Sequence, residues 1–299
     1  MARPVQLVKT QDALGAIDRA KRITAEAYTL SEPMLDALEA AAERGARVSV
    51  TLAGTPYGSS KDRLAAWNAR LVSRLRAHHV AAELRNTVHA KELCVDGTFY
   101  FDERNWRRDD LVIRAAPNEV TTIPSTKTGA LAAEARLLEA ARSGDVIVET
   151  ESFGSKNAVY DSLKRLALDG RSPRLLVNQR VLNGNRRERC LLEHLVREGV
   201  RVRVCKDSSK LAATPSGAWL GSANASPTFA GDEMTDWGIA TADRAITRSV
   251  RARLEWDWIG AKEFRAAREP ERHDSRGARG RLGGDADAAA GPQPVDSAR

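Results

Sequence analysis

The chain is short of the residues on which several chemistries depend. Its three cysteines, Cys94, Cys190 and Cys205, are an odd number, far apart, with no C-x-x-C pair. That excludes a disulfide framework and offers no zinc site, so neither a metal nor a cofactor is expected. No apolar run approaches the roughly 18 residues of a membrane span. The opening MARPVQLVKTQDALG holds no stretch of signal length, and a cytoplasmic address is expected. Gly54-Thr55-Pro56-Tyr57-Gly58 is followed by no Gly-Lys-Ser/Thr, which rules out a phosphate-cradling Walker loop there. Histidine is scarce too: there are five, so any imidazole chemistry must draw on a short list.

What is present points to phosphate. The net charge of +7, from 47 basic and 40 acidic residues, favours anionic partners. In Val88–Asn105, VHAKELCVDGTFYFDERN, residues His89, Lys91 and Asp96 form an H-x-K-x4-D pattern with Asn105 nine residues on. Alternation from His89 to Val95 predicts a strand with His89, Lys91, Leu93 and Val95 on one face. An imidazole and an ammonium then stand side by side, roughly 7 Å apart at the backbone. Lysine brings fixed positive charge to a phosphoryl group, and histidine brings a nitrogen able to attack phosphorus or move a proton.

A second copy strengthens this reading. One offset, 119 residues, carries His89, Lys91 and Asn105 to Ser208, Lys210 and Asn224. The segment there, SSKLAATPSGAWLGSAN, closes on Gly221-Ser222-Ala223-Asn224, where the first copy has Asp102-Glu103-Arg104-Asn105. It carries Ser208 in place of the histidine and Pro215 in place of the aspartate. Together these motifs resemble the HKD signature of the phospholipase D superfamily, with a degenerate second copy. The resemblance runs from about residue 11 to residue 260. It implies a covalent phosphohistidine at His89, passed on to water or an alcohol. The implied catalytic set is His89, Lys91, Asp96, Asn105, Lys210 and Asn224, with Ser222, Ser208 and Arg104 as substrate contacts. Asp110 and Asp236 stand where the superfamily carries an acid that orients the histidine of the other half.

The order of the predicted elements repeats as well. Helix, strand, helix, strand, motif hairpin and strand occur twice, which predicts an α/β protein of two similar α/β/α-sandwich halves. Their mixed sheets would be related by a pseudo-two-fold axis, as in the phospholipase D-like fold. The halves are expected over 1–120 and 129–262, joined by the polar stretch Thr121–Thr128 and followed by a disordered tail over 265–299. Asp96-Gly97 is a hairpin signal, and Trp106 and Trp237 read as core residues or as walls of a pocket.

Two functions follow. One is a phosphodiesterase acting on a phospholipid or a nucleic acid. With Ser208 unable to act as an acid near neutral pH, its proton donor would be Asp207, Glu233 or Asp236. The other is a phosphate-, nucleic-acid- or lipid-headgroup-binding protein that kept the charged pocket. A monomer with an internal two-fold is expected. A homodimer pooling two copies of His89 is the less economical arrangement, since the second half should already fill that interface.

Overall fold

A computed structural model describes residues 5–56, 61–120, 123, 125–141, 145–183, 185–227 and 234–265. The expected tail, Arg265 excepted, and the candidate acid Glu233 lie outside the described residues.

The first half runs β1 (Val5–Lys9), α1 (Thr10–Ile17), β2 (Arg22–Ala27), α2 (Glu32–Glu43), β3 (Arg47–Ala53) and α3 (Lys61–Ala77). It continues with β4 (Ala81–Arg85), β5 (Lys91–Val95), β6 (Thr98–Asp102), β7 (Leu111–Ala115) and a short α4 (Pro117–Val120). The second half runs α5 (Lys127–Glu139), β8 (Ile147–Thr150), α6 (Ala158–Leu168), β9 (Arg174–Asn178), α7 (Gln179–Asn183) and α8 (Arg186–Arg197). It closes with β10 (Arg201–Cys205), β11 (Leu211–Thr214), β12 (Gly217–Gly221), β13 (Gly238–Thr241), α9 (Arg244–Gly260) and β14 (Lys262–Glu263).

The two sheets have the same plan. Their strand orders are β1-β7-β6-β5-β2-β3-β4 and β13-β12-β11-β8-β9-β10-β14. Without β1 and β14, each reads from the last hairpin through the motif strand to a parallel trio. Strands β2, β3 and β4 pair in parallel, as do β8, β9 and β10, while the motif strands β5 and β11 run antiparallel to β2 and β8. Strands β1 and β14 are edge additions that the sequence did not announce. β1 adds to β7, and the two-residue β14 to β10.

Three apolar clusters hold this together. Helices α1–α3 cover one face of the first sheet with Ile17, Leu35, Leu38 and Leu75 against Ile23, Val50, Leu52 and Leu93. Helices α5, α6 and α8 do the same for the second sheet, with Leu138, Leu163 and Leu195 against Val148, Leu175 and Val202. Between the halves lies a third cluster in which Phe101 and Ile113 meet Ile147, Leu211, Leu220 and Trp237, with Ile246 and Leu254 of α9 packed in. Each such side chain contributes roughly 1.5–3 kcal/mol on leaving water. The halves therefore share a core, and residues 1–266 form one compact unit. Within the stretch expected as linker, Thr126 caps α5 by accepting from the Gly129 amide at 3.2 Å.

The motif hairpins follow local chemistry. Asp96 and Gly97 both take positive φ, 48° and 86°, as a two-residue primed turn requires. In the second hairpin Thr214 Oγ1 accepts from the Ser216 and Gly217 amides instead. At Gly221 an added Cβ would come within 2.4 Å of the Trp219 ring and 2.7 Å of the Trp237 carbonyl oxygen. The first residue of the Gly-Ser-Ala-Asn close therefore admits no side chain.

Candidate active site

The strand expected from His89 begins only at Lys91. Just before it, Val88 leaves the first sheet and bridges Thr235 of the second half, and the His89 amide donates to Thr235 Oγ1 at 3.3 Å. The chain is thus pinned across the halves at the residue that matters. The His89 ring then reaches Asp236, Nδ1 to Oδ1 at 2.6 Å, with side chains 5% and 1% exposed. Ser222 Oγ donates to the same Asp236 oxygen at 2.6 Å and accepts from the Trp237 amide at 3.0 Å. Asp236 was expected to orient the histidine of the opposite half, and it is placed to do so. Ser222, expected at the substrate, has its hydroxyl committed to Asp236.

Electrostatics fix the protonation states. Burial pushes His89 down to about 4, against the pull of Asp236, so the ring is neutral near pH 7. Burial works to raise the Asp236 carboxyl, but His89, Lys91 and Ser222 outweigh it and hold it below the usual range. A carboxylate at Nδ1 puts the ring hydrogen there and the lone pair on Nε2. The other side of the ring meets Tyr28 edge-on, centroids 5.1 Å apart. Tyr28 also lies 5.5 Å from Lys91 Nζ, over its ring.

The two lysines have matching environments. Lys91 Nζ donates to the His89 carbonyl at 2.5 Å, and Lys210 Nζ donates to the Ser208 carbonyl at 2.8 Å. Both side chains are buried, and burial together with the charge of Lys210 pushes Lys91 down to about 7. Lys210 also meets Glu151 Oε2 at 3.3 Å. Burial works to raise the Glu151 carboxyl, while Lys210 and Lys91 hold it below the usual range. Asn105 and Asn224 close the two motifs, each with its side-chain oxygen buried and without a hydrogen-bond partner among the described residues.

Other expected contacts are spent elsewhere. Asp96 stands at the far end of β5, about 16 Å along the strand from Lys91. Its carboxylate accepts from the Lys21 and Arg22 amides at 3.1 and 2.8 Å, tying the hairpin turn to the start of β2. In this structure its carboxylate serves the turn, apart from the His89–Asp236 pair. Arg104, expected at the substrate, is 3% exposed and pairs with Asp109, Asp110 and Asp207, with Glu103 at 3.7 Å.

This cluster contains the counterpart of Asp236. β6 pairs Asp102 with Val112, and β12 pairs Gly221 with Gly238. Since Asp102 and Gly221 are equivalent in the repeat, Asp110 is the counterpart of Asp236. Asp236 holds His89, whereas Asp110 holds the Arg104 guanidinium at 2.5 Å and accepts from the Asn105 and Arg107 amides. Asp207 is clasped by Arg104 and Arg253, which overcome burial and hold its carboxyl below the usual range. Asp207 is engaged by Arg104 and Arg253, and Asp236 by His89 and Ser222. Tyr28 and Glu151 went unnoticed in the sequence. Their signal is the repeat itself, since each follows the strand that pairs with a motif strand.

The solved structure of phosphatidylserine synthase from Haemophilus influenzae superposes with a TM-score of 0.63, over 88% of this chain and 88% of its own, at 10% identity. The chain has the phospholipase D-like fold. Polyphosphate kinase from Porphyromonas gingivalis matches 84% of the chain with a TM-score of 0.54 at 14% identity. This chain spans 46% of the kinase's length. At such identities the likeness is one of fold. No protein-family model and no curated protein matches the sequence. Among the described residues, no helix is long and apolar enough to cross a membrane.

Proposed function

We propose that the chain is a phosphodiesterase of the phospholipase D type that forms a phosphohistidine on His89. The observation that carries this reading is the buried His89–Asp236 pair beside two buried lysines, one from each repeat. The His89 Nε2 lone pair forms the N–P bond as the leaving P–O bond breaks. The ring gains positive charge, which Asp236 offsets at Nδ1. Lys91 and Lys210 draw the charge on the remaining phosphoryl oxygens, and the Asn105 and Asn224 amides, turned to present N–H, add hydrogen bonds. Water then attacks phosphorus and the N–P bond breaks, returning His89 to its neutral form. One chain supplies both motif copies, so a monomer suffices. The substrate is a phosphodiester, in a phospholipid or a nucleic acid.

Ser208 and the Arg104 cluster favour a second reading, a phosphate-, nucleic-acid- or headgroup-binding protein without turnover. Release of nitrophenolate from bis-nitrophenyl phosphate separates the two. The enzyme releases it, and His89→Ala does not. A binder releases none, and instead holds phosphate with an affinity that falls with salt and on Lys91→Ala or Lys210→Ala.

A further inference from the structure

We propose that Glu151 supplies the acid–base function that Ser208 cannot. The inference rests on the phosphodiesterase reading and adds to it the residue that serves the leaving group and the water.

Symmetry gives the position. In the first half β5 pairs Glu92 with Glu26, and in the second β11 pairs Leu211 with Glu149. Glu92 and Leu211 are 119 residues apart, so Glu149 is the counterpart of Glu26 and Glu151 the counterpart of Tyr28. Tyr28 follows β2, the strand that pairs with the motif strand β5, and packs on His89. Glu151 leaves the central strand of the other sheet and meets Lys210, whose ammonium also bonds the Ser208 carbonyl. A carboxylate therefore stands beside the place where the repeat has lost its imidazole.

Access and charge fit the role. The Glu151 side chain is 38% exposed, against 5% for His89 and 3% for Lys210, so it lies where an alcohol can depart and water can enter. In the empty site the charge of Lys210, its hydrogen bond and the charge of Lys91 keep it ionised. A phosphodiester anion partners the ammonium groups and adds its own negative charge, and both effects raise the carboxyl toward protonation. As the P–O bond breaks, the Glu151 proton passes to the leaving oxygen. The carboxylate then takes a proton from the water whose oxygen bonds to phosphorus as the N–P bond breaks. Glu151 takes its first proton from solvent as substrate binds, ends the reaction protonated with His89 neutral, and returns that proton to solvent when the product leaves, so the steps balance.

Burst kinetics with bis-nitrophenyl phosphate test this. Nitrophenolate leaves without a proton, so the first step tolerates loss of the acid and the second does not tolerate loss of the base. Glu151→Gln should keep the burst of one nitrophenolate per chain and lose steady turnover by about 10²-fold or more. Glu151→Asp should recover part of that turnover. Loss of the burst along with turnover would overturn the proposal, because Glu151 would then serve only to place Lys210. Unchanged turnover in Glu151→Gln would overturn it while leaving the phosphodiesterase reading intact. Wild-type protein with neither burst nor turnover would overturn both.

Discussion

Asp236 meets Nδ1 of His89 at 2.6 Å although 147 residues separate the two. The contact crosses from one repeat to the other, so the proposed nucleophile is oriented only when both halves are folded and joined. Asp236→Asn removes the carboxylate that fixes the tautomer and offsets charge on the ring. Turnover of bis-nitrophenyl phosphate should fall by about 10²–10⁴-fold, with little change in KM. Ser222→Ala removes one hydrogen bond to Asp236 and should cost about 10–100-fold.

The lysines should act through charge. Lys91→Ala and Lys210→Ala should each lower kcat/KM by about 10²–10³-fold, and phosphate should become a weaker competitive inhibitor of either variant. An inhibition constant unmoved by both changes would place the phosphoryl group elsewhere.

The pH dependence follows from two depressed groups. Below about 4 His89 takes up a proton and loses its lone pair, and above about 7 Lys91 loses its charge. A plot of kcat/KM against pH should therefore be bell-shaped with limbs near these values. Lys91→Arg should carry the alkaline limb upward, because a guanidinium stays charged.

Arg104 should matter for stability and little for chemistry. Arg104→Met leaves Asp110, Asp207 and Glu103 inside the protein without their shared cation. Unfolding free energy should fall by about 3–5 kcal/mol in denaturant titrations, while the folded variant keeps its turnover. Lost turnover at unchanged stability would return Arg104 to the substrate.

Most of the architecture was legible because the sequence says it twice. The 119-residue offset joined Lys91 to Lys210 and Asn105 to Asn224, and the alternating helices and strands pointed to two similar α/β halves. Asp96-Gly97 announced its own turn. Strands β1 and β14 were not legible, because an edge strand is defined by the partner it joins and Val5–Lys9 carries no strict alternation. The start of β5 was missed for a related reason. Alternation runs back to His89, but tertiary pairing of Val88 with Thr235 bends the chain away from the sheet. The site was half legible. Motif residues named His89 and the lysines, whereas the part played by Arg104 depends on acids from residues 103 to 110 and on Asp207, which spacing alone does not gather.

The central claim is a covalent bond between phosphorus and His89. Intact-mass measurement after brief mixing with bis-nitrophenyl phosphate and an acid-free quench, followed by peptide mapping, reads it directly. The account predicts one added nitrophenyl phosphoryl group per chain, carried by the peptide that contains His89 and absent from His89→Ala. Nitrophenolate released steadily by wild type and equally by His89→Ala, with no added mass on either protein, would contradict it.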